Sequence, residues 1–97
     1  MDYLLTHPRE LGIDSRLIWT AKEIQIYRAN GRGLVTDIDL LYQTASGIYI
    51  VEYKTSDRKA EAVTQLRMGG AFVFREFHEY PKLLYTYSPR FITEEIK

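Results

Sequence analysis

VTDIDLLYQTASGIYIVEYKTS, residues 35–56, is the stretch that decides the fold of this 97-residue chain. Residues 34–43 and 48–54 are rich in valine, isoleucine, leucine and tyrosine, and the turn-forming sequence TASG at residues 44–47 separates them. Two such runs joined by a short turn predict a β-hairpin. Two aspartates, a glutamate and a lysine interrupt the apolar strands, and burying charged groups costs free energy unless something compensates them. The hairpin therefore raises the question of what compensates these charges.

The register of the hairpin brings the charged residues together. A turn centred in the TASG sequence pairs residues whose numbers sum to 91, so Asp39 faces Glu52. Asp37 faces Lys54 in the same register. Because side chains alternate along a strand, we expect these four residues to share one face of the sheet with Leu41. Directly opposed residues hold their Cβ atoms about 5 Å apart, so two carboxylates and an ammonium should converge in one small patch.

Asp39 opposite Glu52 is an unfavourable pair of like charges. A raised pKa on one carboxyl, a cation from the protein or a bound divalent metal ion could relieve it. A structural ion pair with Lys54 and a metal site fit these residues equally well. In a metal site, Mg²⁺ or Mn²⁺ would bind the two carboxylates, since both ions prefer oxygen ligands. Lys54 would then be available to contact a phosphate or to orient an attacking water.

The rest of the chain predicts further elements on both sides of the hairpin. They are, in order, a weak helix at residues 7–11 with Thr6 as its N-cap, a strand from Glu23, a turn at residues 30–33, the hairpin itself, a helix from about Arg58 to Pro81 capped by Ser56 or Asp57, and a strand at residues 83–87. Residues 93–97 are expected to fray. The order helix, three strands, helix, strand predicts an α/β or α+β class with helices packed on a sheet.

The long helix carries one apolar stripe at steps of three and four residues, formed by Ala62, Leu66, Gly69, Val73 and Phe77. Gly69 and Gly70 lie side by side in its middle, where glycine is about 1 kcal/mol less favourable than alanine. We therefore expect either a close approach of the helix to the sheet or a kink at these residues.

Composition narrows the class of protein. The chain has no cysteine, and its two histidines, His7 and His78, are far apart, which argues against a disulfide scaffold, a cysteine nucleophile or a zinc site. Its length predicts a single domain over residues 1–97 that would gain stability from dimerisation. Neither a signal sequence nor an apolar run of about 20 residues is visible, so we expect a cytoplasmic protein with no membrane partner.

The formal net charge is zero, so composition alone does not indicate a nucleic-acid partner. Basic residues nevertheless cluster locally, although such a cluster is more often a solvated face. The candidate nucleic-acid contacts are Arg28, Arg32, Arg58, Lys59 and Arg67.

The charged residues of the hairpin resemble a known signature. Asp39, followed thirteen residues later by Glu52-Tyr53-Lys54, is similar to the D…ExK signature of the PD-(D/E)xK, or restriction-endonuclease-like, phosphodiesterases. The frame TDIDLL…IYIVEYKTS looks most like the motif of small archaeal Holliday junction resolvases and virus-type repair nucleases, with Ile38 where the signature has proline. The resemblance covers about residues 10–87. It implies an α/β fold with an α-β-β-β-α-β core, a mixed sheet flanked by helices.

The resemblance also implies roles for individual residues. Asp39 and Glu52 would be metal ligands, the main-chain carbonyl of Tyr53 would be a third, and Lys54 would position or activate the attacking water. Glu10 lies twenty-nine positions before Asp39 and matches the acidic residue that many members carry on their first helix. A glutamate in a first helical turn also complements the helix dipole, so a purely structural role stays open.

Two further residues are placed by the same comparison. Gln65 lies eleven residues after Lys54 and matches a glutamine that some members carry on the helix after the lysine, although a helical glutamine usually faces solvent. Asp37 is outside the signature, and we expect it to pair with Lys54 or to stay exposed.

The function that the resemblance implies is hydrolysis of DNA phosphodiester bonds by an endonuclease dependent on Mg²⁺ or Mn²⁺. The resemblance further implies branched or junction DNA as the substrate and a role in repair or recombination. DNA is favoured over RNA by analogy only. If the source is viral, the protein would act in the host cytoplasm. A homodimer would place two active sites on opposite strands. Its candidate surfaces are either Phe72, Phe74, Phe77 and Tyr80, although core packing is preferred for Phe77, or Tyr85 and Tyr87.

Two other functions are kept open. The first is a catalytically inactive nuclease-like domain that binds nucleic acid or a partner protein. An intact set of Asp39, Glu52 and Lys54 speaks against it, because a site freed from catalysis should lose at least one member. The second is an unrelated interaction module in which the same residues form a surface ion-pair network.

Overall fold

One mixed five-stranded sheet organises the protein. The computed structural model describes residues 2–28, 31, 33–88 and 92–97. Its elements are α1 (Asp2–Thr6), a 3₁₀ turn (Pro8–Leu11), β1 (Leu17–Tyr27), β2 (Leu34–Thr44), β3 (Gly47–Lys54), α2 (Lys59–Phe77), β4 (Lys82–Tyr87) and β5 (Ile92–Ile96). The strands lie in the order β1-β2-β3-β4-β5. Among the described strands, only β3 and β4 run parallel, as expected where a helix connects two strands. The predicted α/β class is confirmed.

The sheet has an apolar cluster on each face. The cluster under α2 consists of Ile26, Ile38, Leu41, Ile48, Ile50, Ala62, Leu66, Val73, Leu83, Tyr85 and Ile96. The cluster on the opposite face, which includes residues of the N-terminal segment, consists of Leu4, Leu11, Ile13, Leu40, Tyr42, Val51 and Leu84. The buried Tyr42 hydroxyl donates a hydrogen bond to the Leu4 carbonyl, which ties α1 to the sheet.

The predicted register of the hairpin is confirmed from Thr44 opposite Gly47 to Leu40 opposite Val51. The turn is closed by the Thr44 hydroxyl, which donates to the Gly47 carbonyl at 2.8 Å. Gly47 has a φ of 133°, a value that residues with a Cβ rarely adopt. The hairpin is therefore positioned by its turn sequence as well as by its apolar residues.

Several predicted boundaries were wrong at the N-terminal end. β1 begins at Leu17, six residues before the predicted start at Glu23. The predicted helix at residues 7–11 is a 3₁₀ turn whose N-cap is His7 rather than Thr6, and Gly12, at a φ of 80°, ends it. The pattern of β1 was hard to read because most of its side chains are exposed or half-buried, so no clear alternation marks its first half.

Three further predictions were wrong toward the C-terminus. Residues 92–96 do not fray but form β5, which pairs antiparallel with β4 and buries Ile96. The N-cap of α2 is Arg58, with no side-chain cap from Ser56 or Asp57. Phe77, predicted to continue the apolar stripe, is 46% exposed at the end of the helix, because α2 stops there with His78 in the left-handed conformation.

The predicted close approach at Gly69 and Gly70 is confirmed. A Cβ built on Gly69 would lie 3.1 Å from Ile38 Cγ1 and 3.2 Å from Ile50 Cδ1, both buried in the core. A Cβ on Gly70 would lie 2.9 Å from the hydroxyl of Tyr80, an exposed side chain. The helix therefore packs directly on β2 and β3, immediately beside the charged residues of the hairpin.

Among the residues that the structure describes, no helix combines the length and the apolar character needed to cross a membrane.

Replacing Gly69 by alanine should lower the free energy of unfolding by about 1 kcal/mol. Overpacking typically costs about 1 to 3 kcal/mol, whereas the better helix propensity of alanine returns about 1 kcal/mol. Gly70→Ala is the comparison variant and should cost less, because its Cβ would have one tight contact in the core, Leu83 Cδ2 at 3.2 Å, beside a Tyr80 ring that can move into solvent, whereas the Cβ at Gly69 would have two. Urea denaturation of both variants measures the difference, and a Gly69→Ala variant more stable than Gly70→Ala would contradict the packing argument.

Candidate metal centre

The charged residues meet where β2 and β3 separate. The main-chain pairing of the two strands extends from the turn to Leu40 and Val51. In a continued register Tyr53 would stand opposite Ile38, but the Tyr53 N–H donates instead to Asp39 Oδ2 at 2.7 Å. A side-chain carboxylate thus takes the place of a main-chain acceptor. This hydrogen bond satisfies the Tyr53 N–H and fixes the Asp39 carboxylate at the opening between the strands.

The alternation of β2 slips at the same point. Ile38 and Leu41 both belong to the cluster under α2 although they are three residues apart, while Leu40 belongs to the opposite cluster. The expectation of strict alternation from Asp37 to Leu41 was therefore wrong. On the neighbouring strand β1, Glu23 has a φ of 55°, in the left-handed region. The pairing of β1 with β2 passes from Lys22–Leu40 directly to Ile24–Ile38, without a pair between Glu23 and Asp39. The irregularity thus spans two neighbouring strands and is centred on Asp39.

Three carboxylates converge at this irregularity. Ligand oxygens of Asp37, Asp39 and Glu52 all lie within 4.8 Å of one another. Glu52 is buried, and the two aspartates are half-buried. The predicted pair therefore has a third member, Asp37, which sequence reasoning had set aside as lying outside the signature. Its position two residues before Asp39 on the same strand was a signal that could have identified it.

Lys54 is the cation of the cluster. Its Nζ lies 3.2 Å from Glu52 Oε2 and 3.2 Å from Glu61 Oε1, and it donates to Gln65 Oε1 at 2.7 Å. Among the described residues, these carboxylates form its ion pairs, so the expected pair with Asp37 is not formed. The Lys54 side chain is only 12% exposed, which means that its position is set by these three acceptors.

The start of α2 carries two of the three acceptors. Gln65, a predicted site residue, and Glu61, which sequence reasoning missed, lie four residues apart and therefore on the same helix face. The buried Tyr85 hydroxyl anchors this end of the helix by accepting the Arg58 N–H at 2.6 Å and donating to Asp57 at 2.8 Å. The spacing of Glu61 from Gln65 was the signal available in the sequence.

Burial and charge shift the titration of the site. Burial raises the pKa of Glu52 to about 7, and the neighbouring Asp39 carboxylate adds to the shift, while Lys54 opposes it. The pKa of Asp39 is also raised by burial, against the opposing hydrogen bond from Tyr53. Burial pushes the pKa of Lys54 down, but the contacts with Glu52 and Glu61 together outweigh it and leave that pKa raised. Lys54 thus does not fully compensate the carboxylates around it.

The donor set fits a hard divalent cation. Carboxylate oxygens are the ligands that Mg²⁺ and Mn²⁺ prefer, and the Glu52 and Asp39 carboxylates face each other in a partly desolvated opening. In a strand, the N–H and C=O of one residue point toward the same neighbour, so the Tyr53 carbonyl is directed with its N–H toward β2. Asp39 and Glu52, with Asp37 and this carbonyl, are therefore the residues that could hold such an ion.

The structure does not bring Glu10 to this cluster. Glu10 belongs to the 3₁₀ turn, is exposed and accepts a hydrogen bond from the Tyr3 hydroxyl at 3.1 Å. With Tyr49 and Lys82 it lines a pocket at the beginnings of β3 and β4, whereas the cluster lies near the end of β3. The N-terminal segment packs on the sheet face opposite α2, which explains the separation.

The four predicted nucleic-acid contacts that lie among the described residues are distributed over different parts of the molecule. Lys59 pairs with Glu94 at 2.6 Å, and Arg58 lies 4.0 Å from Glu61, near the carboxylates. Arg67 is exposed on α2 and lines a pocket with Tyr80. Arg28 is exposed just after β1, and Arg32 lies outside the described residues.

The two predicted dimer surfaces differ in exposure. Phe74, Phe77 and Tyr80 are all about half exposed, and Phe72 is partly buried. Tyr85, by contrast, is 1% exposed, and β4 lies between β3 and β5. The β4 surface is thus unavailable for edge pairing, and the aromatic end of α2 is the one of the two that solvent reaches.

The raised pKa of Glu52 predicts a pH dependence of stability in the metal-free protein. The unfolded chain releases this proton near pH 4.5 and the folded protein near pH 7, so the folded state binds more protons between these values. The free energy of unfolding in EDTA should therefore fall by about 3 kcal/mol as the pH rises through this window. Chemical denaturation at pH 5, 6, 7 and 8 measures it. Glu52→Gln should flatten the profile and Glu10→Gln should not; equal slopes in all three proteins would contradict the assignment.

Neither a protein-family model nor a curated protein matches the sequence. The functional conclusion therefore depends on the residues of the site itself. These are the three carboxylates at the opening of the hairpin and the lysine held beside them by Gln65 and Glu61.

Proposed function

We propose that this protein is a metal-dependent nuclease that hydrolyses DNA phosphodiester bonds at the Asp39, Glu52 and Lys54 cluster. The observation that carries the proposal is the uncompensated charge of the cluster. Three carboxylates meet within 4.8 Å, and Lys54, which pairs with Glu52, is shared with Glu61, while the pKa of Glu52 stays raised to about 7. Burial is the main cause of that shift, the Asp39 carboxylate adds to it, and the contact with Lys54 does not reverse it.

A bound Mg²⁺ or Mn²⁺ ion would complete the charge balance. Asp39 and Glu52 would hold it, with the Tyr53 carbonyl and Asp37 as further oxygen ligands. When bound, such an ion supplies Lewis-acid polarisation of a phosphoryl oxygen and lowers the pKa of a coordinated water. The Asp39 carboxylate needs no rearrangement for this role, since the Tyr53 N–H already holds it in place.

Lys54 would act on the reacting phosphate as a fixed cation. Its ammonium is oriented by Glu52, Glu61 and Gln65, so little reorganisation is needed when negative charge develops on a phosphoryl oxygen. Activation of the attacking water by Lys54, the other role implied by the resemblance, requires a neutral amine. The two carboxylates beside the ammonium favour the charged form. Gln65 would then be a positioning residue that acts through Lys54.

The finer parts of the proposal are supported by the resemblance alone. They are the preference for DNA over RNA and the action on branched or junction DNA in repair or recombination. The cytoplasmic location and the homodimer are proposed instead from the sequence pattern and the chain length. For a homodimer, the exposed aromatic residues at the end of α2 are the available surface among the two predicted. A catalytically inactive domain that binds nucleic acid or a protein is the other outcome that the experiments below separate.

Divalent-cation binding tests the first step independently of catalysis. Calorimetric titration with Mn²⁺ at pH 7.5 should detect a site that Asp39→Asn and Glu52→Gln each weaken at least tenfold, since each removes a charged ligand. Asp37→Asn should weaken it less, because Asp39 and Glu52, the two proposed principal ligands, both remain. Asp14→Asn, at an exposed residue paired with Arg9, is the charge-matched control. Binding that survives both ligand substitutions, or that depends on Glu10, would contradict the proposed metal centre.

Cleavage tests the second step. The protein is incubated with linear duplex, single-stranded and four-way-junction DNA in Mg²⁺, Mn²⁺ or EDTA. Lys54→Ala and Glu52→Ala should lower the cleavage rate by at least about a hundredfold, as expected for loss of a transition-state contact. Circular dichroism confirms that the variants are folded. Equal activity in wild type and variants would identify a contaminant, and cation binding without any cleavage would favour the inactive domain.

A further inference from the structure

A groove lies beside the carboxylate cluster, between α2 and the adjoining ends of β1 and β2. It has a volume of about 540 Å³. We call it the arginine groove, and its lining consists of Ile26, Tyr27, Arg28, Val35, Met68, Ala71, Phe72 and Arg75. None of these described lining residues is acidic, so both charged groups in the lining are guanidinium groups. In a protein whose net charge is zero, this is a local concentration of positive charge next to an acidic site.

The arginine groove continues from the proposed catalytic site on both of its walls. On β2, Val35 lies two residues before Asp37, a separation of about 7 Å along a strand. On α2, Met68 lies three residues after Gln65 and therefore on a neighbouring part of the same helix surface. From Gln65 to Arg75 the helix rises about 15 Å. A polymer chain whose reacting group lay at the carboxylates would reach the groove by extending about this distance along β2 and α2.

Two arginines are positioned at the groove by the local structure. The main chain of Arg28 is fixed in a turn, since its N–H donates to the Gly33 carbonyl at 3.1 Å and its carbonyl accepts the Gly31 N–H at 2.9 Å. Arg75 lies over the Phe72 ring, with Cζ 5.6 Å from the ring centroid. Its contact with Glu76 is 3.7 Å long and largely solvated, so a phosphate could compete for the guanidinium.

Aromatic and apolar surface accompanies the two charges. The Tyr27 side chain is about half exposed, and Phe72 and Met68 supply apolar wall. Guanidinium groups recognise phosphate oxygens, and nucleobases stack on aromatic rings when they are not base-paired. In a duplex the base faces are covered by stacking and pairing, so an exposed ring beside two arginines matches an unpaired strand better than a duplex.

We propose that the arginine groove binds an unpaired segment of the polynucleotide strand adjacent to the scissile phosphate. This inference rests on the proposed nuclease function and adds a substrate class to it: strands with single-stranded character next to the cleavage point. Arg28 and Arg75 contact the phosphates, and Tyr27 provides a stacking surface for a base. The groove recognises the strand by charge and stacking, without reading its sequence.

Binding in EDTA tests the groove without cleavage. Fluorescence anisotropy with a labelled single-stranded oligodeoxynucleotide, an oligoribonucleotide of the same sequence and a duplex gives each Kd over a range of salt concentrations. Wild type should bind the single strands more tightly than the duplex. Arg28→Gln and Arg75→Gln should each weaken single-strand binding about three- to tenfold and lower the slope of log K against log salt by about 1, since each removes one phosphate contact.

Matched variants separate the two kinds of contact. Tyr27→Leu should weaken single-strand binding severalfold and leave duplex binding and the salt slope unchanged. Arg9→Gln removes the same charge from the opposite face of the sheet and should bind like wild type. All four positions are exposed, and thermal unfolding checks that the variants are folded.

The outcomes distinguish this inference from the nuclease proposal. Loss of single-strand binding in the groove variants supports the groove, even if the wild type cleaves nothing in Mg²⁺ or Mn²⁺. Tighter binding to duplex, an equal loss in Arg9→Gln, or undiminished binding in the Arg28 and Arg75 variants overturns it, even if the wild type cleaves DNA. Where the groove variants lose binding, a preference of the wild type between the two single strands identifies the sugar of the substrate.

Discussion

The hydrogen bond from the Tyr53 N–H to the Asp39 carboxylate is the contact on which the site depends. It lies where the β2–β3 ladder ends, and it lets the strands part without leaving a buried main-chain donor unpaired. The same contact directs a carboxylate toward Glu52. The same hydrogen bond therefore accounts for both the end of the β2–β3 pairing and the position of the acidic cluster. The slip in the alternation of β2 and the left-handed φ of Glu23 accompany it on the neighbouring strands.

Two of the three ways of relieving the repulsion between Asp39 and Glu52 operate in this structure, and a net negative charge still remains in the cluster. Lys54 supplies a cation, and Glu52 responds with a raised pKa. Burial is the main cause of that shift, and the neighbouring Asp39 carboxylate adds to it. Lys54 also pairs with Glu61, so its single positive charge is divided between two carboxylates. The remaining negative charge is directed into the opening between the strands, which is the physical reason for preferring a cation site over a structural ion pair.

Sequence reasoning was most accurate where local patterns determine structure. The turn and the alternating apolar residues set the register that brings Asp39 near Glu52, and the paired glycines predicted the contact of α2 with Ile38 and Ile50. It was least accurate where tertiary pairing decides: β5 exists because it can pair with β4, and β2 departs from regular alternation between Ile38 and Leu41. A period-2 pattern contains no information about either event.

The position of Glu10 shows that the carboxylate cluster is built without side chains from the N-terminal segment. That segment packs on the sheet face opposite α2, so a residue on it cannot approach the cluster without crossing the sheet. All charged side chains of the cluster come from β2, β3 and the first turns of α2, within residues 37–65. The N-terminal segment supports this unit from behind, through Leu4 and the buried Tyr42 hydroxyl. Changes there should therefore act on the stability of the hairpin and leave the charges of the cluster in place.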